Sequence, residues 1–383
     1  MRVLVTSSPG LGHMLPMVSI SWALRAAGHD VLLAMAGTRA GHIPLLAASG
    51  LPVVQTQPHE AVARVIDAAH EGMDIQAVRK LIRETTRDVE RLLSVGAEVF
   101  AAQSDLLADT VVAVADEWRP DLVVHSPIDG AGPLAAAKLG VPAVEQAYGL
   151  VSGEDLFTQV ASALADTYRR HGVDGPPARH ALLNVAPPSM GTPTLGWPMR
   201  YVPFNGGGQL PDWLLRMPNR PRVIVTLGTV ISDFVGVGPL RWLAEVAGDF
   251  DADFVVTLDD TSELGPLPPN VRPVSYLPLN ALLANSSAVI HHGGSGSTMT
   301  SLALGVPQLV VPQASDQFNN AREVAKRGVG FEVDTAVAPV GAADLTRLLT
   351  DASLATAAAE VKAEMAAQPA PADLVPKLVE LAG

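Results

Sequence analysis

Two series of alternating hydrophobic strands and helices constrain this chain most strongly. In the first half, the strand RVLVT (residues 2–6) is followed by a helical stretch from about 13 to 27 and by the strand DVLLAM (30–35). The same alternation returns with DLVVHS (121–126), a helix of small residues, and VPAVEQ (141–146). Successive strand, helix and strand segments form β-α-β units, whose strands run parallel. We therefore predict a parallel sheet with helices on both faces.

A proline-rich segment divides the chain into two such units. From Ala186 to Pro221 there are eight prolines and a run of three glycines, without a helical or strand period. Segments of this composition connect domains. The strand RVIVTLGT then opens a second series of strands and helices. For 383 residues, two α/β domains with doubly wound parallel sheets are expected: residues 1–200 with a linker to about 220, and residues 221–365. Helical stretches are also predicted from about 75 to 100 and from 106 to 118, and two more after residue 330. The last of these, in residues 366–383, is predicted to pack back on the first domain.

Composition excludes several classes of partner. Lys and Arg total 26 against 39 for Asp and Glu, a net charge of −13, which repels nucleic-acid phosphates. No apolar stretch approaches the roughly 18–20 residues of a membrane span. The chain begins with a strand and a turn and contains no cysteine, so it shows neither a secretion signal nor a disulfide framework. We expect a cytoplasmic protein that binds neither nucleic acid nor membrane.

Residues 291–320, HHGGSGSTMTSLALGVPQLVVPQASDQFNN, carry the strongest functional pattern. A hydrophobic strand ends in two histidines, and Gly293, Gly294 and Gly296 then let the backbone approach a ligand before Ser297 begins a helix. The N-terminus of a helix presents unpaired N–H groups to anions. A glycine-rich turn that needs small residues only for packing is the alternative for the glycines alone. The loop from Ser7 to His13 also follows a strand, so both loops should face a cleft between the sheets.

These motifs resemble a known family. MRVLVTSSPGLGHMLPM at the start, DLVVHSPIDGAGPLAAAKLGVPAV in the middle, YLPLNALL and the block from residue 291 onward are similar to those of inverting GT-B-fold glycosyltransferases, especially actinomycete enzymes that attach deoxysugars to polyketide or macrolide antibiotics. The resemblance covers nearly the whole chain. It implies a GT-B fold of two Rossmann-like domains and transfer of a deoxysugar from a dTDP-sugar to a hydrophobic aglycone by direct displacement at the anomeric carbon.

The resemblance also implies catalytic roles. The residue matching the family's general base is His13, and an imidazole with a pKa of about 6.5 is mostly neutral near pH 7 and can take a hydroxyl proton. A helix cap or a solvated polar residue is the alternative for His13. The family places a carboxylate after the strand DLVVH to orient this histidine, and here Ser126 lies at that position. Asp129, three residues further on, is one candidate to replace it, and Ser126 itself, through a hydrogen bond to the ring, is the other.

Donor-binding residues follow from the same resemblance. His292 is expected beside the diphosphate together with the amides and hydroxyl between Gly294 and Ser297, whereas His291 is excluded because it can simply pack at the strand end. Tyr276 matches the aromatic residue that contacts the nucleobase, with a core aromatic as the alternative. Asp316 and Gln317 match the pair that binds the sugar hydroxyls, although Asp316 alone could be a helix cap. The donor-binding set is Gly228, Thr229, Tyr276, His292, Gly294, Gly296, Ser297, Asp316 and Gln317.

Other signals have ordinary explanations. Asp251 and Asp253 spell a D-x-D metal motif, but they precede a strand in an acidic loop, so no metal is expected. No cofactor is expected beyond the dTDP- or UDP-sugar co-substrate. The acceptor pocket is expected from the N-terminal loops and from segments with aromatic residues such as Tyr148, Phe157 and Tyr168. A nucleotide-sugar epimerase and a non-catalytic partner protein are the competing functions. Whether the bond forms to oxygen or carbon, and whether the chain is a homodimer, stay open.

Overall fold

The computed structural model describes residues 1–69, 89–150, 154–191, 196–228, 236–258, 260–313, 316–335 and 337–383. They form two α/β lobes, each built on a parallel β-sheet. Candidate residue Thr229 and residues 75–88 of the helical stretch predicted from about 75 to 100 lie outside the described residues.

The N-terminal lobe contains a seven-stranded sheet. Its strands are β1 (Arg2–Thr6), β2 (Asp30–Met35), β3 (Val53–Gln55), β4 (Leu122–His125), β5 (Ala143–Gln146), β6 (His180–Asn184) and β7 (Trp197–Pro198). They are all parallel, in the order β3-β2-β1-β4-β5-β6-β7. The central strands β4 and β5 are buried along their whole length, because helices cover both faces and select continuous apolar runs.

Eight helices in the described residues surround this sheet. They are α1 (Leu11–Met14), α2 (Met17–Ala26), α3 (His42–Ala47), α4 (His59–Ala69), α5 (Val89–Trp118), α6 (Ala131–Leu139), α7 (Glu154–Ala163) and α8 (Ala165–Arg170). The stretch predicted as one helix from about 13 to 27 is split at Leu15 and Pro16, since proline has no N–H to continue the first helix. The two helices predicted before Trp118 are one continuous helix, α5.

The C-terminal lobe contains a six-stranded sheet. Its strands are β8 (Arg222–Thr226), β9 (Asp253–Thr257), β10 (Val271–Val274), β11 (Ala288–His291), β12 (Gln308–Val310) and β13 (Gly330–Glu332). All are parallel, in the order β10-β9-β8-β11-β12-β13. The predicted class, two doubly wound parallel-sheet domains, is confirmed.

Eight further α-helices belong to the linker, the second lobe and the C-terminal end among the described residues. They are α9 (Asp212–Leu215), α10 (Trp242–Glu245), α11 (Leu279–Leu283), α12 (Ser295–Leu304), α13 (Gln317–Arg327), α14 (Ala342–Thr350), α15 (Ala352–Ala367) and α16 (Pro371–Ala382). Three helices follow residue 330, where the sequence predicted two. The missed boundary is Asp351, whose carboxylate accepts the Ser353 N–H at 3.1 Å and starts α15.

The last helix returns to the N-terminal lobe. Helix α16 packs against α2, and Leu374 and Leu378 share a hydrophobic core with Ile20 and Leu24. The Arg200 N–H donates to the carbonyl of Pro369 at 2.8 Å just before α16 begins. Burial of these leucines therefore ties the end of the chain to the first lobe.

No helix among the described residues is long and apolar enough to cross a membrane.

Replacing Leu378 with alanine should destabilise the protein, because this side chain is fully buried in the core that α16 shares with α2. We expect the free energy of unfolding to fall by about 2–5 kcal/mol, measured by urea denaturation. Val379→Ala is the matched control, since Val379 is 42% exposed, and it should change stability by no more than about 0.5 kcal/mol. Equal losses in the two variants would contradict the packing of α16 described above.

Candidate active site

The candidate residues lie on loops that follow the carboxyl ends of strands. His13 lies in the short helix α1, after the loop that follows β1, and His292 and Gly294 lie in the loop that follows β11. The two lobes meet beside these loops at Gly149, which follows β5. A Cβ atom built on Gly149 would lie 2.5 Å from Ser295 Oγ. Glycine therefore allows the backbone of the first lobe to rest on the first turn of α12 in the second lobe.

His13 is positioned by a tight turn. Gly10 has a φ of 115°, a conformation that favours glycine, and its carbonyl accepts the His13 N–H at 3.1 Å. The half-buried imidazole packs edge-to-face against Tyr148, with ring centroids 5.1 Å apart, and against Phe100 at 6.3 Å. The Nδ1 atom of His13 is buried and has no hydrogen-bond partner among the described residues.

Burial controls the charge of His13. It lowers the pKa of the imidazole to about 4, since a charged ring loses hydration inside the protein. His13 is therefore neutral near pH 7 and can accept a proton. A charged imidazolium would leave a buried N–H unsatisfied at Nδ1.

Ser126 and Asp129 are buried and bonded elsewhere. Ser126 Oγ accepts the Ser8 N–H at 3.2 Å. Asp129 Oδ2 accepts the Thr6 hydroxyl at 2.5 Å, and Oδ1 accepts the Ala131 N–H at 3.0 Å at the start of α6. The described part of the chain contains no hydrogen bond from either side chain to His13, so the assignment of one of them as its orienting partner stays a prediction.

Asp129 has an unusual protonation equilibrium. Burial raises the pKa of its carboxyl to about 6, against hydrogen bonds from Thr6, Ala131 and Gly132 that lower it. The protonated form is therefore favoured at a higher pH in the folded protein than in the unfolded chain. The hydrogen bonds of Asp129 therefore connect β1 to the first turn of α6.

Asp129→Asn should remove a pH dependence of stability. Because the folded-state pKa of Asp129 is raised to about 6, its contribution is fully present below about pH 4 and is lost as pH rises through about 6. We expect the unfolding free energy of wild type minus that of the variant to fall by about 1–3 kcal/mol between about pH 4 and 7. Urea denaturation at several pH values measures it, and a constant difference would contradict the raised pKa.

The two histidines after β11 have different environments. His291 is buried, its Nε2 lies 2.8 Å from Gln308 Oε1, and its Nδ1 accepts the Gly293 N–H at 3.0 Å. Both nitrogens are therefore satisfied within the fold, in the neutral tautomer with the proton on Nε2. This agrees with the exclusion of His291 from the predicted binding set.

His292 is held between two glycines. A Cβ atom on Gly228 would lie 2.4 Å from its Cε1 atom, and one on Gly294 would lie 2.4 Å from its Nε2 atom. Its Nδ1 has no partner among the described residues. Burial lowers the pKa of His292 to about 3, and the neighbouring His291 lowers it further. The ring is therefore a rigid, neutral group at the mouth of the glycine-rich loop.

Helix α12 begins directly beside His292. Gly294 is its N-cap, and the Gly294 carbonyl accepts the Thr298 N–H at 3.0 Å. The N–H groups of Ser295, Gly296 and Ser297 belong to the first turn, which has no intrahelical acceptors. A Cβ atom on Gly296 would meet nothing within 4 Å, so open space adjoins this turn. The arrangement suits a negatively charged group.

Asp316 and Gln317 lie against the same turn. Asp316 Oδ2 accepts the Ser295 hydroxyl at 2.8 Å and the Asn320 amide at 3.1 Å. Gln317 Oε1 accepts the Gln313 N–H at 2.9 Å. Burial raises the pKa of Asp316, while the bonds from Ser295 and Asn320 oppose that shift. The bonds from Ser295 and Asn320 use the same oxygen of Asp316.

Sequence reasoning missed Ser295 and Asn320 as part of this site. Asn320 also donates to the carbonyl of Gly293 at 2.8 Å, so it joins α13 to the glycine-rich loop. The available signal was spacing, since Asn320 is four residues after Asp316 and lies on the same helix face. The missed side chains support the predicted ones, whose positions they fix.

Three predicted aromatic residues have different environments. Tyr276 is 45% exposed, and its hydroxyl donates to the carbonyl of Asn205 in the linker, which excludes the core-aromatic alternative. Tyr168 is buried in the core of the first lobe, so its expected place in the acceptor pocket is wrong. Phe157 stacks on His180 with ring centroids 5.4 Å apart.

The D-x-D motif has an ion-pair partner. Arg220 lies 2.6 Å from an oxygen of Asp253 and 3.6 Å from one of Asp251. The motif lies at the start of β9, and both of its carboxylates pair with the guanidinium of Arg220.

Tyr148 joins the two halves of the site. Its ring contacts His13 of the first lobe. Burial raises the pKa of Tyr148, and the nearby carboxylates of Asp316 and Glu145 raise it further. The hydroxyl of Tyr148 therefore stays protonated, and its ring links His13 to the adjacent Gly149, which rests on Ser295 of the second lobe.

Two parallel-sheet lobes with a histidine loop on each side of the cleft define a GT-B glycosyltransferase. The family descriptions "Erythromycin biosynthesis protein CIII-like, N-terminal domain" and the corresponding C-terminal domain match residues 22–228 and 241–381. The chain belongs to this family of glycosyltransferases of antibiotic biosynthesis.

Individual relatives match this chain over nearly its full length. Elloramycin glycosyltransferase ElmGT of Streptomyces olivaceus is 40% identical, over 99% of this chain and 97% of the relative. The crystal structure of the glycosyltransferase SnogD from Streptomyces nogalater is 40% identical with a TM-score of 0.82, covering 100% of this chain and 99% of that one. The glycosyltransferase SsfS6 of Streptomyces sp. SF2575, complexed with thymidine diphosphate, is 32% identical with a TM-score of 0.81, covering 99% of both chains.

Gly228→Ala should destabilise the loop that holds His292. The substitution puts a side chain at a φ of 74° and 2.4 Å from the imidazole, so we expect a loss of about 1–3 kcal/mol in unfolding free energy. Gly296→Ala is the control, because it meets no neighbour within 4 Å, and it should leave stability unchanged or raise it by up to about 1 kcal/mol. Urea denaturation of the unliganded proteins measures both changes in unfolding free energy, and equal changes would contradict the close packing of Gly228 against His292.

Proposed function

We propose that this enzyme transfers a deoxysugar from a dTDP-sugar to a hydrophobic natural-product aglycone, with inversion at the anomeric carbon and with His13 as general base. The observation that carries the proposal is the contact between the lobes: Gly149 rests against Ser295, which donates to Asp316, while the adjacent Tyr148 packs on His13. A base on one lobe and a sugar-binding carboxylate on the other are thereby brought to the same point of the cleft.

The diphosphate of the donor fits the first turn of α12. The N–H groups from Ser295 to Ser297 and the ring of His292 surround the space beside Gly296. The whole chain has a net charge of −13, so an anionic substrate needs local donors of this kind. The complex of the similar SsfS6 contains thymidine diphosphate, which supports a thymidine nucleotide as the donor carrier here.

The nucleoside and the sugar have candidate partners on either side of the diphosphate. Tyr276 presents an exposed ring beside the linker, where it could stack on the base. Asp316 and Gln317 supply a carboxylate oxygen and an amide, which can accept from and donate to sugar hydroxyls. Ser295 and Asn320 hold Asp316 in place by hydrogen bonds.

The reaction follows from this placement. The acceptor oxygen attacks the anomeric carbon on the face opposite the diphosphate, and its proton passes to His13. The bond between the anomeric carbon and the diphosphate oxygen breaks, and the electron pair leaves with the diphosphate. Amides of α12 and the ring of His292 stabilise the negative charge that grows there, an effect often worth several kcal/mol.

Variants of His292 and of His13 should affect donor binding and base catalysis separately. Excess dTDP should raise the melting temperature of the wild type, because a ligand that binds only the folded protein stabilises it. At a ligand concentration of a hundred times Kd, this adds about 2.7 kcal/mol to the free energy of unfolding. His292→Ala should lose most of this rise. His13→Ala should keep it but lose about 10²–10⁴-fold in turnover, measured as glycoside formation from a dTDP-sugar and a panel of aglycones by mass spectrometry.

The same assay distinguishes the competing functions. Conversion of the dTDP-sugar without any acceptor would favour a nucleotide-sugar epimerase. Binding of dTDP without turnover of any kind would favour a non-catalytic partner protein. Failure of dTDP to raise the melting temperature would refute the donor site itself.

A further inference from the structure

The described residues around His13 offer no charged partner to its protonated form. The flanking rings of Phe100 and Tyr148 are uncharged, and Nδ1 is buried and has no hydrogen-bond partner among the described residues. Ser126 and Asp129 are bonded to other groups, Ser126 to Ser8 and Asp129 to Thr6 and Ala131. When Nε2 accepts the proton, Nδ1 already carries one, so the imidazolium forms with no acceptor among the described residues for that buried N–H.

An imidazole without a charged partner is a weak base, so the acceptor hydroxyl that gives up its proton must itself be acidic. General-base catalysis depends on the pKa difference between the proton donor and the base. Burial holds the pKa of His13 at about 4. A phenol has a pKa of about 10, as for tyrosine, whereas an aliphatic hydroxyl is close to water at about 16. Transfer of the proton from a phenol is thus easier by about six pKa units.

We propose that the acceptor presents a phenolic hydroxyl to His13 and that aliphatic hydroxyls are poor acceptors for this enzyme. The inference rests on the proposed function and narrows its substrate class. The phenol oxygen forms the new bond to the anomeric carbon, the phenol proton goes to His13, and the diphosphate leaves with the electron pair. The rings of Phe100 and Tyr148 next to the base suit a flat aromatic acceptor, since aromatic rings pack well edge-to-face.

Matched acceptors test the proposal directly. The wild-type enzyme is given a dTDP-hexose at saturating concentration with 2-naphthol or with decahydro-2-naphthol, which has the same carbon skeleton but an aliphatic hydroxyl. We expect kcat/KM for the phenol to exceed that for the alcohol by at least about 100-fold, the size of effect that general-base catalysis supplies. Comparable values overturn the proposal while leaving glycosyl transfer intact. Transfer to neither acceptor, nor to other phenols or alcohols, counts against the proposed function itself.

A second measurement separates a chemical role of His13 from a structural one. Wild type and His13→Ala are compared across phenols of increasing acidity, ending with 4-nitrophenol, which is largely ionised at about pH 8. The loss in the variant should be about 10²–10⁴-fold for 2-naphthol and less than about 10-fold for 4-nitrophenol, which has little need of a base. A uniform loss across the series overturns the proposal. Retention of the dTDP-induced rise in melting temperature shows that the variant is folded.

Discussion

Close contact between the lobes at Gly149 and Ser295 is the constraint on which the site depends. A side chain at residue 149 would overlap Ser295, so this approach is possible only for glycine. Ser295 in turn bonds Asp316, and the preceding Tyr148 packs on His13. Through these few residues the position of His13 is fixed relative to the glycine-rich loop after β11, and fixed relative positions of this kind are what catalysis by orientation requires.

The fold and the loops were readable from the sequence, whereas their partners were not. Strands such as RVLVT and DLVVH are short apolar runs between turn residues, and their alternation with helices fixes a parallel sheet and the end at which ligands bind. Strand β7 was missed because two residues inside a proline-rich segment carry no period. The boundary between α14 and α15 was missed because no glycine or proline lies between the two helices and only the Asp351 cap separates them.

Side-chain partnerships show the limit of sequence reasoning more clearly. The family resemblance implied that Ser126 or Asp129 orients His13, yet their hydrogen bonds go to Ser8, Thr6 and Ala131. Conversely, the contact of Tyr148 with His13 joins residues far apart in sequence, and no local pattern encodes it. The glycines at 228 and 294 were predicted as ligand-binding backbone, but both also make room for the ring of His292. Such reciprocal packing depends on rotamers and crossing geometry rather than on residue type.

The return of α16 to the first lobe has a mechanical consequence. The polypeptide passes between the lobes once at the linker before β8 and again between α15 and α16. Two covalent tethers remove most of the freedom that one hinge would leave, so any opening of the cleft is confined to rotation about the line that joins them. The lobes would then open and close along one direction as substrates enter and leave, and the loops on the two lobes would return to the same alignment after every cycle.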